Sequence, residues 1–139
     1  MGDPAEEAIE SFHKWNDAFN SRDTETQVAN MHFPHLRLAG SGFQLWETPD
    51  DFRAGQDDLT VRLKAESWHY TETMSVKTVQ SNSEKVHLVI RQSRRDVNGV
   101  EYNGFDTFWI FTKIDGRWGV QFRSSFLESA ASGLGSSPA

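Results

Sequence analysis

The stretch Tyr102–Phe126, YNGFDTFWIFTKIDGRWGVQFRSSF, decides the fold of this chain. It is dense in Phe, Trp, Ile and Val, and the turn signal Ile114-Asp115-Gly116-Arg117 divides it into two apolar runs. Apolar and aromatic runs on either side of an Asp-Gly turn are typical of a β-hairpin. We therefore predict that this stretch forms two strands at the centre of a sheet.

Both faces of the first of these strands carry apolar side chains. Alternation places Phe108 and Ile110 on one face and Phe105, Trp109 and Phe111 on the other. In the second strand it predicts one shared face for Trp118, Val120, Phe122 and Phe126. Helices on one side of the sheet would leave the aromatic residues of the other side exposed, so we expect a homodimer formed through the outer sheet face.

The composition limits the class of protein. A chain of 139 residues without cysteine is one domain that forms no disulfide and has no thiol nucleophile. A net charge of −6 argues against binding to nucleic acid, which needs lysine and arginine on its phosphates. No apolar run approaches the roughly 20 residues of a membrane span, and the N-terminal residues are acidic, unlike a signal peptide. We expect no membrane partner and a cytoplasmic location.

Helices are predicted before the sheet. Apolar residues at helical spacing predict a helix over Pro4–Ser21, and Asp23 or Thr24 begins a second. A third helix begins at Thr48-Pro49 and extends to about Ser67, with a break near Gly55 left open.

Strands occupy the rest of residues 1–127. One pair lies on either side of Gly40-Ser41-Gly42, between the second and third helices, and four strands follow from Trp68 onward. The order is ααββαββββ, an α+β layout in which three N-terminal helices cover one face of a curved antiparallel sheet. Residues 128–139 are small, polar and rich in Gly and Ser, so we expect a disordered tail after a single domain of residues 1–127.

This order resembles the nuclear transport factor 2-like superfamily, with its SnoaL-like and ketosteroid-isomerase-like members. The residues that carry the resemblance are Phe12–Asp23, FHKWNDAFNSRD, and the closing segments Asp115–Trp118 and Phe122–Phe126. The resemblance implies a cystatin-like, cone-shaped sheet around a hydrophobic pocket, and commonly a dimer through the outer sheet face. It does not by itself imply a function, because function depends on sites that a fold carries.

The ketosteroid isomerase machinery is not carried over to this sequence. The resemblance places the family's oxyanion-binding tyrosine near Trp15, whose indole donates one hydrogen bond but exchanges no proton. It places the family's base near Gly40, which has no side chain. It also places a pocket acid near Asp106.

Asp106 is the first candidate for catalysis. If Phe108 points into the cone, strand register makes Asp106 do the same, and a carboxylate among aromatic residues suits general acid or base work. The alternative is that Asp106 is exposed or paired with Arg91 or Arg123. A one-residue slip in register would replace it with Thr107.

Histidines are the second set of candidates. His35, and after it His69, could assist Asp106 as a proton shuttle. The alternative is a structural histidine bonded to backbone for His35 and a packing role for His69. His32 and His35 are three residues apart in an extended segment and are expected on opposite faces, so we predict no shared metal. No phosphate-binding loop or zinc-binding helix motif occurs, and we predict no cofactor and no metal.

Aromatic residues complete the predicted pocket for a small apolar molecule. The expected lining residues are Trp15, Phe19, Trp46, Tyr102, Phe108 and Phe122, and the alternative for each is ordinary core packing.

Two functions stay open. One is a SnoaL-like small-molecule-binding protein acting as a cofactor-free isomerase, dehydratase or cyclase by proton transfer. The other is a non-catalytic ligand-binding or dimeric assembly module of the same fold. An open cavity with converging ionisable groups would favour the first, and a filled interior would favour the second.

Overall fold

Four helices lie on the N-terminal half of the chain in the computed structural model, which describes residues 2–40 and 42–127. They are α1 (Pro4–Ser21), α2 (Thr24–Ala29), α3 (Pro49–Ala54) and α4 (Gln56–Ala65). Asp23 caps α2 by accepting the Thr26 N–H, and Thr48 forms a capping box with Asp51 at the start of α3. The predicted third helix is thus two helices, which meet at Gly55.

Six strands form one sheet in the spatial order β2-β1-β6-β5-β4-β3. Their bounds are β1 (Met31–Ala39), β2 (Gly42–Trp46), β3 (Tyr70–Ser81), β4 (Lys85–Arg95), β5 (Glu101–Ile114) and β6 (Arg117–Ser125). All neighbours are antiparallel except β1 and β6, which run parallel. The predicted α+β class is confirmed, and the hairpin predicted from Tyr102–Phe126 is β5–β6 at the centre of the sheet.

One face of the sheet, which we call the inner face, packs against α1. Phe12 and Trp15 of α1 meet the ring of Trp109 edge-on, with ring centroids 5.0 and 4.9 Å apart. Helices α3 and α4 add Phe52, Leu59 and Leu63 to the same core. Burial of these apolar side chains is the main force that holds the helices on the sheet.

The register of β5 decides which residues enter the interior. Phe105, Thr107, Trp109 and Phe111 are buried on the inner face, and Asp106 and Phe108 lie on the outer face. The inward orientation expected for Asp106 and Phe108 is therefore wrong. Because β5 is apolar on both faces, alternation alone does not determine its orientation.

A β-bulge in β6 corrects a second expectation. Phe111 pairs with Val120 but Ile110 pairs with Phe122, so β6 has an extra residue at Gln121. The extra residue reverses the alternation that begins at Trp118 and Val120. Phe122 consequently lies on the outer face and Arg123 on the inner face, opposite to the strict alternation that predicts an inward Phe122. Phe126, expected on the same face, is 80% exposed.

The ends of the chain set the limit of the description. The disordered tail expected at 128–139 lies outside the described residues, as does Ser41 of the expected turn, and the domain boundary at residue 127 stays a prediction. Within the described part of the chain, no helix combines the length and the apolar character needed to cross a bilayer.

Candidate functional site

The inner face changes from apolar to polar along its strands. Apolar residues such as Val86, Leu88 and Val120 fill one half of it. In the other half the buried side chains are polar or charged, and we call this set the polar cluster. Its members are His35, Arg37, Gln92, Arg94, Thr107, Arg123 and Ser125.

Arg123 lies at the centre of the polar cluster because the bulge at Gln121 points it inward. Its guanidinium is enclosed by three tryptophan rings, with centroids 4.9, 5.8 and 5.5 Å away, which belong to Trp15, Trp46 and Trp109. Cation–π attraction of this kind strengthens as water is excluded, and Arg123 is only 1% exposed. The aromatic residues therefore hold a charge that they do not neutralise.

His35 is held in one neutral form by its two neighbours. Its Nε2 accepts a 2.9 Å hydrogen bond from Nε of Arg123, so its Nδ1 carries the proton and donates to the carbonyl of Val120 at 3.0 Å. Burial, and then the charge of Arg123, keep the pKa of His35 well below its ordinary value. Both nitrogens are occupied, so His35 positions Arg123 and does not have the free nitrogen that a proton shuttle needs.

Arg37 lies beside Arg123. The two residues are register partners in the parallel β1–β6 pair, so both side chains extend from the same face of neighbouring strands. Arg37 is 2% exposed, and its Nε and Nη2 have no hydrogen-bond partner among the described residues. Burial, and then the nearby charge of Arg94, lower the pKa of Arg37 to about 9. The side chain still carries its charge at neutral pH.

Arg94 is in a different situation, since a buried carboxylate faces it. Its Nη1 is 3.2 Å from Oε2 of Glu66, and the same oxygen accepts a 2.9 Å hydrogen bond from the hydroxyl of Tyr102. Tyr102 turns inward because it is the extra residue of a second bulge, opposite Arg94 and Arg95. Burial raises the pKa of Tyr102, so it stays a hydrogen-bond donor.

Two small cavities adjoin the polar cluster. The first, of about 20 Å³, is lined by Phe19, Gln27, Trp46, Phe52, Gln56, Leu59 and Arg123. The second, of about 10 Å³, is lined by Trp15, Asn16, Phe19, Thr71, Gln92, Phe105, Thr107, Trp109 and Ser125. Phe19 lines both, so the two cavities adjoin the same side chain. Each has room for about one water molecule, and most of the interior is filled by side chains.

A larger depression, of about 480 Å³, lies on the surface far from the polar cluster. It is bounded by α1, the end of α2 and the β5–β6 turn, and charged residues of both signs, including Glu10 and Lys14, line it. It is shallow, and no buried ionisable side chain faces it, so we do not regard it as the candidate site.

The predicted site residues divide between the interior and the outside. Trp15, Phe19 and Trp46 line the two cavities, and His35 and Tyr102 reach the polar cluster. Phe108 and Phe122 form an edge-to-face pair on the outer face, with ring centroids 6.5 Å apart. The interior positions expected for these two rings are corrected by the register of β5 and the bulge in β6.

Asp106 and His69 lie outside the candidate site. The Asp106 side chain is 59% exposed, and its Oδ1 is 3.4 Å from Nη1 of Arg91, which is the alternative considered for it above. His69 is exposed just before β3, where its ring contacts that of Tyr70. Neither can assist a reaction at the polar cluster, because neither side chain enters the interior.

His32 and His35 each form a hydrogen bond with a backbone carbonyl of β6. His32 Nε2 bonds to the carbonyl of Arg117, whereas His35 bonds to that of Val120. The register of β1 is irregular between Met31 and Leu36, and the expectation of opposite faces for the two histidines stays a prediction. Within residues 2–40 and 42–127, no group of three His, Cys, Asp or Glu side chains could hold a metal ion.

Arg37, Arg123 and Glu66 are site residues that the sequence reasoning missed. The alternation His35-Leu36-Arg37-Leu38 is a signal for the inward side of β1. It identifies Arg37 only if the polar residues, and not the leucines, are assigned to the interior. Arg123 carries no such signal, because only the bulge turns it inward. Glu66 ends α4 and meets Arg94 only in the folded chain.

Four N-terminal helices on a curved sheet with a partly polar interior define an NTF2-like domain of the cystatin-like fold class. The family model described as "NTF2-like protein (DUF6841)" matches residues 5–122, and the chain belongs to that family. No curated protein matches the chain.

Solved structures share the fold at low sequence identity. An NTF2-like protein from Novosphingobium aromaticivorans is 18% identical, with a TM-score of 0.72 over 94% of this chain and 88% of that one. A cystatin-like protein of unknown function from Nostoc punctiforme is 12% identical, with a TM-score of 0.69 over 89% and 90%. A candidate ketosteroid isomerase from Shewanella frigidimarina is 7% identical, with a TM-score of 0.64 over 85% and 93%. At such identities the likeness is one of fold.

Proposed function

We propose that this domain binds a small, mostly apolar organic molecule at the two cavities beside the polar cluster, without acid–base catalysis. The observation that carries the proposal is a pair of buried polar atoms at these cavities without a partner in the described chain: Nε1 of Trp15 and Oε1 of Gln27. Protein interiors rarely leave such atoms unsatisfied. A ligand that bonds to them would remove the free-energy cost of burying them alone.

Phe19 is the side chain that would adjust to a ligand. It lies in the last turn of α1 and lines both cavities, stacked on Trp15 with ring centroids 5.6 Å apart. A change of its rotamer would join the two cavities into one space lined by aromatic residues. Aromatic walls with a few polar groups are typical of sites for small molecules.

Proton-transfer chemistry has weaker support than binding. The candidate acid, Asp106, is on the outer face, and His35 uses both ring nitrogens for structural hydrogen bonds. The buried carboxyl of Glu66 bonds to Arg94 and Tyr102. Within the described residues, no acid and base therefore converge on either cavity, as general acid–base catalysis would require.

We also propose that the domain works as a homodimer through the outer sheet face. Phe108 and Phe122 lie there, and Val89 of β4 is 39% exposed beside Phe108, its register partner. Covering these rings with a second copy would bury apolar surface on both subunits. Sedimentation equilibrium should give twice the chain mass, and Phe122→Glu should give a monomer; a monomeric wild type would contradict the dimer.

Ligand-observed NMR with mixtures of neutral organic fragments tests the binding proposal. A subset of fragments should bind, and Trp15→Phe should weaken these by about tenfold, because it removes a buried indole N–H that has no partner among the described residues. Trp118→Phe is the matched control, since its Nε1 donates to Glu7 at 2.9 Å outside the cavities. Failure of every fragment to bind, or equal weakening by the two substitutions, would contradict the proposal.

A further inference from the structure

Three arginines of the described chain are almost completely buried, and two of them face no carboxylate. Arg37, Arg94 and Arg123 are each at most 2% exposed. Only Arg94 has a carboxylate oxygen of a described residue within 4.0 Å, that of Glu66. A buried cation without a counter-charge loses its hydration and gains little in return. The pair Arg37 and Arg123 is therefore an unbalanced concentration of positive charge.

The donors that remain on this pair lie at the edges of the two guanidinium groups. Nη1 of Arg123 and both Nε and Nη2 of Arg37 have no hydrogen-bond partner in the described chain. The tryptophan rings around Arg123 offer no oxygen or nitrogen acceptor, so they leave the hydrogen-bond capacity of its Nη1 unused. Since the two residues are register partners on strands about 4.8 Å apart, one small group can meet both.

We infer that Arg37 and Arg123 form a binding site for the carboxylate of a small organic acid. This inference rests on the proposed function and names the class of ligand. A carboxylate has two oxygens in one plane, which suits the planar forks of arginine. It supplies the negative charge that the described residues around this pair lack.

The surroundings of Arg123 indicate what the rest of the ligand is like. The cavity beside it is lined mostly by apolar residues, among them Phe19, Phe52 and Leu59, together with the amides of Gln27 and Gln56. These would contact a hydrocarbon chain or an aromatic ring attached to the carboxylate. An organic monocarboxylate fits this lining better than a phosphate or a dicarboxylate, whose second charge would enter the apolar side.

His35 makes the site selective for an anion. Its Nε2 already accepts from Nε of Arg123, and Nη1 of the same guanidinium has no partner in the described chain. A neutral histidine takes no share of the positive charge of Arg123. The charge therefore stays available to a ligand.

Isothermal titration with matched acids and amides tests the inference. The probes are benzoate against benzamide and hexanoate against hexanamide, in a buffer without carboxylates. Each acid should bind at least tenfold more tightly than its amide. Arg123→Met should weaken binding of the acids at least thirtyfold, and Arg37→Met should act in the same direction. Arg91→Met is the matched control on the outer face and should leave binding unchanged.

The outcomes separate this inference from the proposed function. If the amides bind as well as the acids and Arg123→Met changes nothing, the carboxylate site is overturned while binding of small molecules stands. If neither acids nor amides bind, the carboxylate site is again overturned, and the neutral fragment screen decides the proposed function. Arg123→Lys, which keeps the charge but not the fork, gives a second variant if Arg123→Met fails to fold, and it should also weaken the acids.

Discussion

Arg94 and Arg123 are both buried arginines on the inner face, and they differ in what lies opposite their charge. Arg94 meets the carboxylate of Glu66 at 3.2 Å, which Tyr102 supports with a hydrogen bond to the same oxygen. Arg123 meets the faces of three tryptophans and a neutral histidine. In the first arrangement a carboxylate of the protein balances the charge of the arginine. In the second, the charge and the N–H donors of the arginine are available to a ligand.

The comparison teaches that burial alone does not identify a functional arginine. Removing one partner of a complete buried pair leaves the other uncompensated and is strongly destabilising, whereas replacing an unbalanced buried charge by an apolar group can stabilise the fold. The sign of the stability change therefore distinguishes a structural arginine from one reserved for a ligand.

The largest expected effect comes from breaking the complete pair. Glu66→Gln removes the carboxylate from Arg94 while keeping the size of the side chain, and should lower the free energy of unfolding by about 3 to 5 kcal/mol. Urea denaturation followed by tryptophan fluorescence measures it. Glu72→Gln is the matched control, because Glu72 pairs with Arg95 at 3.7 Å but is 46% exposed, and it should lower the free energy of unfolding far less. A change below about 1 kcal/mol would mean that the pair contributes little.

The opposite sign is expected at Arg123. Arg123→Met replaces a buried cation by an apolar side chain of similar length, and should raise the free energy of unfolding of the ligand-free protein by about 1 to 3 kcal/mol. Arg94→Met is the matched substitution and should lower it, because it leaves Glu66 without that cation. The same denaturation experiment applies. Destabilisation of similar size by both substitutions would contradict the contrast drawn between them.

The pH dependence of the free energy of unfolding tests the role of His35 beside Arg123. Its pKa is lowered by folding, so between its unfolded pKa, near 6.5, and its folded pKa the unfolded chain binds more protons. Stability should then fall as the pH drops below 6.5, with a slope of up to about 1.4 kcal/mol per pH unit. His35→Gln should remove this share of the slope.

His32 and His87 also have lowered pKa values, mainly because of burial, so the informative quantity is the difference between wild type and His35→Gln. Denaturation curves at pH 7.0, 6.0 and 5.0 give the two slopes. Equal slopes would mean that burial and the charge of Arg123 do not hold His35 neutral.

The smallest effect is expected at the exposed pair of Asp106 and Arg91. Both side chains are substantially exposed, at 59% and 43%, so water screens their attraction. Asp106→Asn should change the free energy of unfolding by less than about 0.5 kcal/mol and should leave fragment binding intact. A large loss of fragment binding in this variant would contradict the conclusion that Asp106 lies outside the binding site.

Much of the fold follows from local sequence signals. Pro4, Asp23 and Thr48 mark helix starts that the structure places at Pro4, Thr24 and Pro49, and Asp115-Gly116 marks the central hairpin. Helix caps and tight turns depend on residues that are close in sequence, so they can be predicted from the sequence alone. The local signals do not decide whether Gly55 divides the third predicted helix, and the structure shows that it does.

The candidate site was harder to predict because it depends on strand register. Tyr102 and Gln121 are extra residues at two bulges, and each reverses the alternation beyond it. A bulge is favoured by pairing with the neighbouring strand and leaves no pattern in its own. Phe122 and Arg123 therefore exchange faces relative to simple alternation. Asp106 belongs to a strand that is apolar on both faces, so the sequence does not show that its side chain lies on the outer face.

The most direct test of the central claim is a crystal structure of the protein soaked with 4-bromobenzoate, with the bromine located by anomalous scattering. The account predicts a carboxylate within hydrogen-bond distance of Nη1 of Arg123 and of Arg37, and a bromine beside Phe19 and Phe52. A ligand bound elsewhere, or an interior unchanged at saturating 4-bromobenzoate, would contradict it.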